Sequence, residues 1–276
     1  MAAFTCATMR FGGRQRPDLG DHVTLKLYAF TCGWITATLD RFLEGAEGTI
    51  TIPIEVFLID HPKGKALFDT GLPKLAQTDP AGAYGRQLAE MFKPTYQAGE
   101  DVAGRLAAIG IAVDEIDFIV NSHLHFDHCG GNALVPNATV VVQSREWKAG
   151  MDPELGRQIG LSRRLFDLGH KVKQVEGEYD LFGDGSVVLM PTYGHTPGHQ
   201  SLRIKNESGD TLLAADCCYF HRTLEDMHLP PFAFDREAQR NVLLKLREMR
   251  ANGSRIVYGH DPDLWRTLPQ APSPMT

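Results

Sequence analysis

The stretch that decides the fold is Asn121-Ser122-His123-Leu124-His125-Phe126-Asp127-His128-Cys129-Gly130-Gly131. It follows the apolar run 118–120, which is short enough to be a buried strand. If the extended backbone continues, His123 and His125 project from one face, because side chains alternate along a strand. A turn through the next acidic residue and histidine would bring further donors to the same place. The paired glycines let the backbone pass close by.

Three histidines and an aspartate within six positions are difficult to explain as ordinary core residues. A single buried histidine usually serves as a hydrogen-bonded core residue, whereas imidazole with carboxylate suits zinc, iron, cobalt or manganese. The shortage of thiolates disfavours a purely structural zinc site, and we interpret Cys129 as a small packing residue. The stretch therefore predicts a metal site containing His123, His125, Asp127 and His128.

Composition limits the classes of function. The 276 residues suffice for one large domain or two small ones, and 43% hydrophobic residues can form a substantial core. The formal net charge of −6 argues against a large nucleic-acid footprint, which needs a basic face. No stretch approaches the roughly 20 apolar residues of a membrane span. We therefore expect neither a nucleic-acid nor a membrane partner.

The cysteines and the N-terminus predict a cytoplasmic protein. The number of cysteines is odd, and a disulfide between the adjacent Cys217 and Cys218 would be strained, so we expect reduced thiols. Residues 1–21 contain arginines but no following apolar run, which makes them a poor signal peptide. We expect this segment to be flexible.

Strand and helix signals alternate through the rest of the chain. Helices are predicted near 102–109 and 238–249, the second with Asp235 as its N-cap. Residues 268–276 contain three prolines and are predicted to be a flexible C-terminal tail. Many strands with helices between them indicate two packed sheets flanked by helices. The predicted strands are 23–30, 50–59, 66–68, 118–120, 139–142, 187–190, 201–204 and 211–214.

Several motifs together resemble the metallo-β-lactamase superfamily. His123-x-His125-x-Asp127-His128 is similar to the family signature, and four further features follow the family's order along the chain. They are Phe68-Asp69-Thr70-Gly71, Gly194-His195-Thr196-Pro197-Gly198, Ala215-Asp216 and Tyr258-Gly259-His260. The resemblance implies an α/β fold, a four-layer αβ/βα sandwich of two mixed sheets flanked by helices. Residues 22–267 would form the catalytic domain, with its site along one edge.

The resemblance also implies a set of ligands for two divalent metal ions. Zinc is expected, with cobalt, iron and manganese left open. Asp69 would orient a ligand histidine through its other ring nitrogen. The first ion would be bound by His123, His125 and His195 and the second by Asp127, His128 and His260, with Asp216 bridging both.

Three of these assignments have ordinary alternatives. His199 lies four residues after His195 and competes with it, although the Gly-His-Thr context favours His195. His260 could be a surface loop residue. Asp216 could cap a helix.

A finer resemblance concerns the reaction. Asp216-Cys217-Cys218-Tyr219 places a tyrosine three residues after the bridging aspartate, as in the N-acyl-homoserine lactonases, and neighbouring motifs are also similar to relatives such as pyridoxolactonase. The family likeness implies that a hydroxide bridging the two metals attacks the lactone carbonyl. Tyr219 would donate to the carbonyl oxygen, and Asp127 would pass a proton to the leaving alkoxide. Tyr219 as a core aromatic remains the alternative.

Other functions stay open at this stage. A thioester hydrolase of the hydroxyacylglutathione hydrolase type ranks lower, because only a short segment follows His260. A persulfide dioxygenase would bind one iron through fewer ligands. The expected partner is a small-molecule lactone such as a quorum-sensing signal, and a homodimer is left open. An acyl tail could lie in a groove, unless these side chains form core or an oligomer interface: Trp34, Ile35, Phe42, Leu43, Leu229, Pro230, Pro231, Phe232 and Phe234.

Overall fold

The computed structural model describes residues 25–206 and 209–275, and the predicted flexible segment 1–21 lies outside them. Within the described ranges, the strands form two mixed sheets. The first sheet contains, in spatial order, β4 (Lys93–Thr95), β1 (Lys26–Thr38), β2 (Thr49–His61), β3 (Gly64–Phe68), β5 (Ile116–Val120), β6 (Thr139–Gln143) and β7 (Val172–Val175). The second contains β12 (Arg255–Val257), β11 (Gly209–Leu213), β10 (Gln200–Asn206), β9 (Val187–Pro191) and β8 (Tyr179–Asp180).

Helices cover the outer faces of both sheets. The two helices predicted from the sequence are confirmed, and the Asp235 side chain accepts from the Ala238 amide at the start of the second. In the described ranges no helix is both long and apolar enough to cross a membrane. The helices are α1 (Pro80–Tyr84), α2 (Arg86–Met91), α3 (Val102–Ala108), α4 (Phe126–Cys129), α5 (Ser144–Met151), α6 (Pro153–Gln158), α7 (His221–Asp226), α8 (Arg236–Ala251) and α9 (Pro262–Trp265).

Three hydrophobic clusters hold four layers together, as the sequence predicts. Strand β2 is buried on both faces, so its side chains alternate between clusters. Ile54 and Val56 pack in the cluster with Val102 of α3, whereas Phe57 packs between the sheets with Leu202 of β10. A third cluster joins the outer face of the second sheet to α8. The order of layers is therefore helices, sheet, sheet, helices.

The strand order brings the predicted motifs to one edge. Strands β3 and β5 run parallel to each other, as do β11 and β12, so the carboxyl ends of each pair lie together. Strands β3, β5 and β12 end directly before a motif, and β11 ends two residues before Ala215. Asp69 after β3 and Ala215 after β11 have φ values of +62° and +50°, a left-handed backbone that non-glycine residues seldom adopt. Such strain is typical of functional sites.

The C-terminal stretch lies against β1, which differs from the flexible tail that the sequence predicts. The amides of Ala271 and Met275 donate to the carbonyls of Ala29 and Leu27 at 3.0 and 2.7 Å. Leu268 is buried in the cluster between the sheets. The prolines exclude helix and regular strand, but the amides between them still reach the backbone of β1.

Candidate metal centre

Histidine and aspartate side chains form two groups where the motifs meet. Within each group, the potential ligand atoms all lie within 4.8 Å of one another. The structure therefore brings together all seven residues that the sequence proposes as ligands, in the proposed division. The first group is His123, His125, His195 and Asp216, and the second is Asp127, His128 and His260.

Asp216 lies between the two groups and turns one oxygen to each. Its Oδ2 atom is 3.7 Å from His123 Nε2 and 3.4 Å from His195 Nε2. Its Oδ1 atom is 3.2 Å from His128 Nε2 and 3.1 Å from His260 Nε2. The carboxylate therefore faces both groups, and the N-cap of its short 3₁₀ turn is Ala214, not Asp216.

In every histidine of the two groups, the ring nitrogen that points away from the other potential ligands (the outer nitrogen) has a polar neighbour. The ring nitrogen that faces those ligands is called the inner nitrogen. A ligand histidine usually donates from its outer nitrogen, which fixes its tautomer and orientation. The carbonyls among these neighbours only accept, so they require a proton on the outer nitrogen, and in a neutral ring the lone pair then lies on the inner nitrogen. The contacts are His123 Nδ1 to Ser122 Oγ (2.9 Å), His125 Nε2 to Ile159 O (2.8 Å), His128 Nδ1 to Asp69 Oδ2 (2.8 Å), His195 Nδ1 to Tyr219 Oη (3.4 Å) and His260 Nδ1 to Pro53 O (2.9 Å).

The electrostatics differ between the two groups. Burial and the neighbouring His128 and His125 rings hold the pKa of His123 well below its usual value. Burial also lowers the pKa of His128, but the Asp216, Asp127 and Asp69 carboxylates outweigh it and raise that pKa well above the usual value. A buried group of carboxylates needs a compensating cation, either a proton or a metal ion.

Unpaired atoms also favour metal binding. The buried His128 Nε2 and Asp216 Oδ1 atoms have no hydrogen-bond partner among the described residues. They lie 3.2 Å apart without being aligned for a hydrogen bond. A buried polar atom without a partner is costly, and a coordinated cation would satisfy both. The donor set of imidazoles and carboxylates is one that divalent metal ions accept.

Glu146 is a buried residue near the centre that sequence reasoning missed. Its Oε2 accepts from Thr196 Oγ1 at 2.7 Å and from the Gly198 amide at 2.8 Å, and its Oε1 accepts from the Leu124 amide at 3.1 Å. The carboxylate thus ties the loop that carries His195 to the segment between His123 and His125. A lone glutamate in α5 has no sequence signal that reveals this role.

The remaining histidines of the described chain do not join either group. His199 is buried, its Nδ1 lies 2.8 Å from Thr192 Oγ1, and burial lowers its pKa to about 3. His195 belongs to the first group and His199 does not. His61 is also buried, 3.2 Å from Asp184. His170 contacts the Val135 carbonyl, and His221 and His228 lie at the surface.

A cavity of about 360 Å³ opens onto both groups. Tyr219 lies in its wall, 5% exposed, with its ring stacked on that of His260 at 5.8 Å between centroids. Of the residues predicted to form a groove, Phe42, Phe232 and Phe234 line this cavity, but Trp34 and Ile35 lie in β1. The apolar lining also includes Leu88, Met91, Phe92, Phe126 and Ile159.

Comparisons with known proteins agree with this geometry. The family described as the metallo-beta-lactamase superfamily matches residues 51–260. N-acyl homoserine lactonase AttM of Azorhizobium caulinodans is 32% identical over 257 residues, covering 90% of this chain and 97% of that protein. N-acyl homoserine lactonase AiiA of Bacillus thuringiensis subsp. kurstaki is 32% identical over 214 residues, 77% of this chain and 82% of that protein.

Solved structures show the same likeness. An N-acyl homoserine lactone hydrolase, with the product N-hexanoyl-L-homoserine bound at its catalytic metal centre, superposes with a TM-score of 0.82. It is 28% identical in sequence, and the match covers 92% of this chain and all of that one.

Proposed function

The chain belongs to the metallo-β-lactamase superfamily, and on that premise we propose that it is a metal-dependent lactonase acting on N-acyl homoserine lactones. Such an activity would quench quorum-sensing signals. One observation carries the proposal: two ligand groups that share Asp216 open onto one apolar cavity, and Tyr219 lies in the wall of that cavity. The names of the relatives support the choice of substrate.

We propose that the seven residues of the two groups hold two divalent cations, with zinc the first candidate. Bound there, the cations would activate water and polarise the lactone carbonyl. Asp216 would face both cations, because its two oxygens point to different groups. The histidines would coordinate through their inner nitrogens, since each outer nitrogen has a polar neighbour of its own.

We propose that Tyr219 donates a hydrogen bond to the substrate. If His195 coordinates through Nε2, its Nδ1 carries the proton and donates to the Tyr219 hydroxyl, so the phenolic proton is left to donate to another acceptor, which we propose is the substrate. Burial raises the pKa of Tyr219 well above its usual value, so the phenol stays protonated at neutral pH. A neutral phenol can stabilise the developing negative charge on the carbonyl oxygen.

Asp127 is proposed as both ligand and proton carrier. Its Oδ2 atom lies 3.8 Å from His128 Nε2 and 3.9 Å from His260 Nε2, and its side chain lines the cavity. Hydrolysis adds water to the carbonyl carbon and breaks the ring C–O bond, so the leaving alkoxide needs a proton. The Asp127 carboxylate would take the proton that the attacking water loses and pass it to the leaving alkoxide.

The cavity would hold the acyl tail. Its lining beyond the metal centre is mainly apolar and aromatic, and its volume of about 360 Å³ is in the usual range for small-molecule sites. Each methylene group of the acyl tail that is buried there would add about 0.8 kcal/mol to the binding free energy. A cytoplasmic location and a homodimer stay predictions.

A substrate panel tests the proposal. The purified protein is loaded with zinc, its bound metal is counted, and proton release is followed with hexanoyl-homoserine lactone, a simple γ-lactone, a β-lactam and lactoylglutathione. We expect two metals per chain and the largest kcat/KM with the acyl-homoserine lactone. A preference for the thioester would favour the glutathione-type hydrolase, and one iron per chain in the purified protein before zinc is added would favour the dioxygenase.

A further inference from the structure

Ser122 is a buried residue that directly precedes the first histidine of the site. It contacts Asp69 and one histidine from each ligand group. Its hydroxyl lies 2.7 Å from Asp69 Oδ2 and 2.9 Å from His123 Nδ1. The same Asp69 oxygen lies 2.8 Å from His128 Nδ1, and a longer contact of 3.3 Å joins Ser122 Oγ to that nitrogen. Ser122 and His123 are fully buried, so no solvent satisfies these atoms.

Counting protons assigns a direction to each contact. A carboxylate only accepts, so the Ser122 hydroxyl donates its single proton to Asp69. With that proton used, the hydroxyl can only accept from His123, whose Nδ1 must therefore carry a hydrogen. His128 Nδ1 likewise donates to Asp69. In the neutral form of each ring the lone pair then lies on Nε2 and faces the centre, which is the form that binds a metal ion.

We propose that Ser122 is a positioning residue through which Asp69 controls the first ligand group as well as the second. One oxygen, Asp69 Oδ2, orients His128 directly and His123 through the serine hydroxyl. The other oxygen, Oδ1, accepts from the Ser122 amide at 2.7 Å and fixes the backbone at the start of the ligand stretch. The inference rests on the proposed metal centre, because it assigns Ser122 a role toward cations bound there.

Zinc binding to the metal-free protein provides the test, through titration against a fluorescent chelator that reports two dissociation constants. Partners of ligand histidines typically contribute about 10–100-fold to metal affinity. We expect Ser122→Ala to lower the affinity for one of the two zinc ions by that factor and to change the affinity for the other by less than about threefold. Ser122→Thr, which keeps the hydroxyl, should restore the affinity. A Ser122→Ala protein that binds both ions as tightly as the wild type would overturn the inference.

Asp69→Asn is the second variant. Its amide would place an NH2 group where Oδ2 now accepts two hydrogen bonds, so both histidines lose their support and both zinc ions should bind more weakly. In the Asp69→Asn background, Ser122→Ala should have almost no further effect, because the two residues act in one chain of hydrogen bonds. Full additivity of the two substitutions would contradict a relay through Ser122.

Ser201→Ala is a matched control. Ser201 is equally buried and its hydroxyl also makes hydrogen bonds, to Ala214 O and Thr192 Oγ1, but it contacts no proposed ligand. This variant should lose stability while both zinc affinities stay within about threefold of wild type; a loss equal to that of Ser122→Ala would show a merely structural effect. The wild-type metal count tests the premise separately, since a protein that binds no zinc would refute the proposed function itself.

Discussion

The Glu146 carboxylate accepts a 2.7 Å hydrogen bond from the Thr196 hydroxyl, although 50 residues separate the two in sequence. Both residues are fully buried. The contact fixes the loop after His195 to α5, and the same carboxylate also accepts from the Leu124 amide of the first ligand stretch. The spacing of the three histidines in the first group therefore depends on a residue that binds no metal in the proposed site.

Removal of this carboxylate should loosen the first ligand group. Glu146→Ala leaves three buried donors without an acceptor, and each such donor costs about 1–3 kcal/mol. We expect the free energy of unfolding of the metal-free protein to fall by at least about 3 kcal/mol, measured by urea denaturation in excess chelator. Glu146→Gln keeps the shape and should lose less. Equal stability of the alanine variant and the wild type would contradict a stabilising role of these three hydrogen bonds.

Replacement of Asp216 by alanine should remove metal and activity together. The variant loses the carboxylate that faces both ligand groups, and loss of a ligand should exceed the roughly 10–100-fold cost of losing an outer partner. We expect fewer than two metals per chain by elemental analysis and a decrease in kcat/KM of more than about 100-fold. Retention of two tightly bound metals would show that Asp216 is not the bridge.

Tyr219→Phe separates substrate contact from metal binding. The hydroxyl contacts the outer nitrogen of His195 and is not a ligand in the proposed site, so the variant should still bind two metals per chain when zinc is in excess. Loss of one donor to a developing oxyanion typically lowers kcat by about 10²–10³-fold. Steady-state kinetics with hexanoyl-homoserine lactone, together with elemental analysis, measure both quantities. Unchanged kcat would leave Tyr219 as a packing residue against His260.

Phe232 at the cavity wall should affect long acyl chains more than short ones. Its side chain is 47% exposed, and the Arg41 guanidinium lies 5.4 Å from its ring centre. Phe232→Ala removes apolar surface worth about 1 kcal/mol of contact, so KM for decanoyl-homoserine lactone should rise about fivefold. KM for butanoyl-homoserine lactone should hardly change. Leu244→Ala, at a similarly exposed residue of α8 that does not line the cavity, should alter neither value.

Asp184 should make stability depend on acid pH. Burial alone raises its pKa, but hydrogen bonds from Ser186 and Lys63 outweigh burial and lower the pKa from 3.8 to about 2. Because the pKa is lower in the folded protein than in the unfolded chain, the carboxylate stabilises the fold when the pH is above the unfolded-state pKa. This contribution is lost as the pH falls from 3.8 towards 2. It amounts to about 2 kcal/mol.

Urea denaturation of Asp184→Asn checks this dependence. In excess chelator at pH 7, the variant should be less stable than the wild type by about 2 kcal/mol, and the gap should narrow once the pH falls below about 4. The chelator removes metal from both proteins, so metal loss in acid cannot produce the difference. A gap that is constant between pH 7 and pH 3 would mean that the carboxylate is not the source.

Local sequence predicted the ligand types and much of the fold. His123, His125, Asp127 and His128 could be identified because their spacing reflects the geometry of a strand that ends in a turn, which depends on neighbouring residues alone. The helix that begins after Asp235 was predictable for the same reason, since an N-cap acts within one turn. The likeness of separate motifs to one family extended the ligand set to His195, Asp216 and His260.

Tertiary structure decided how these ligands are supported. The carbonyls of Ile159 and Pro53 orient two of the histidines. Because every residue has a backbone carbonyl, the residue types do not show which carbonyls make these contacts. Glu146, the placement of the C-terminal stretch on β1 and the residues that line the cavity also depend on contacts between distant segments. A local sequence pattern shows which chemical groups a segment carries, whereas the packing of the whole chain decides which residues those groups contact.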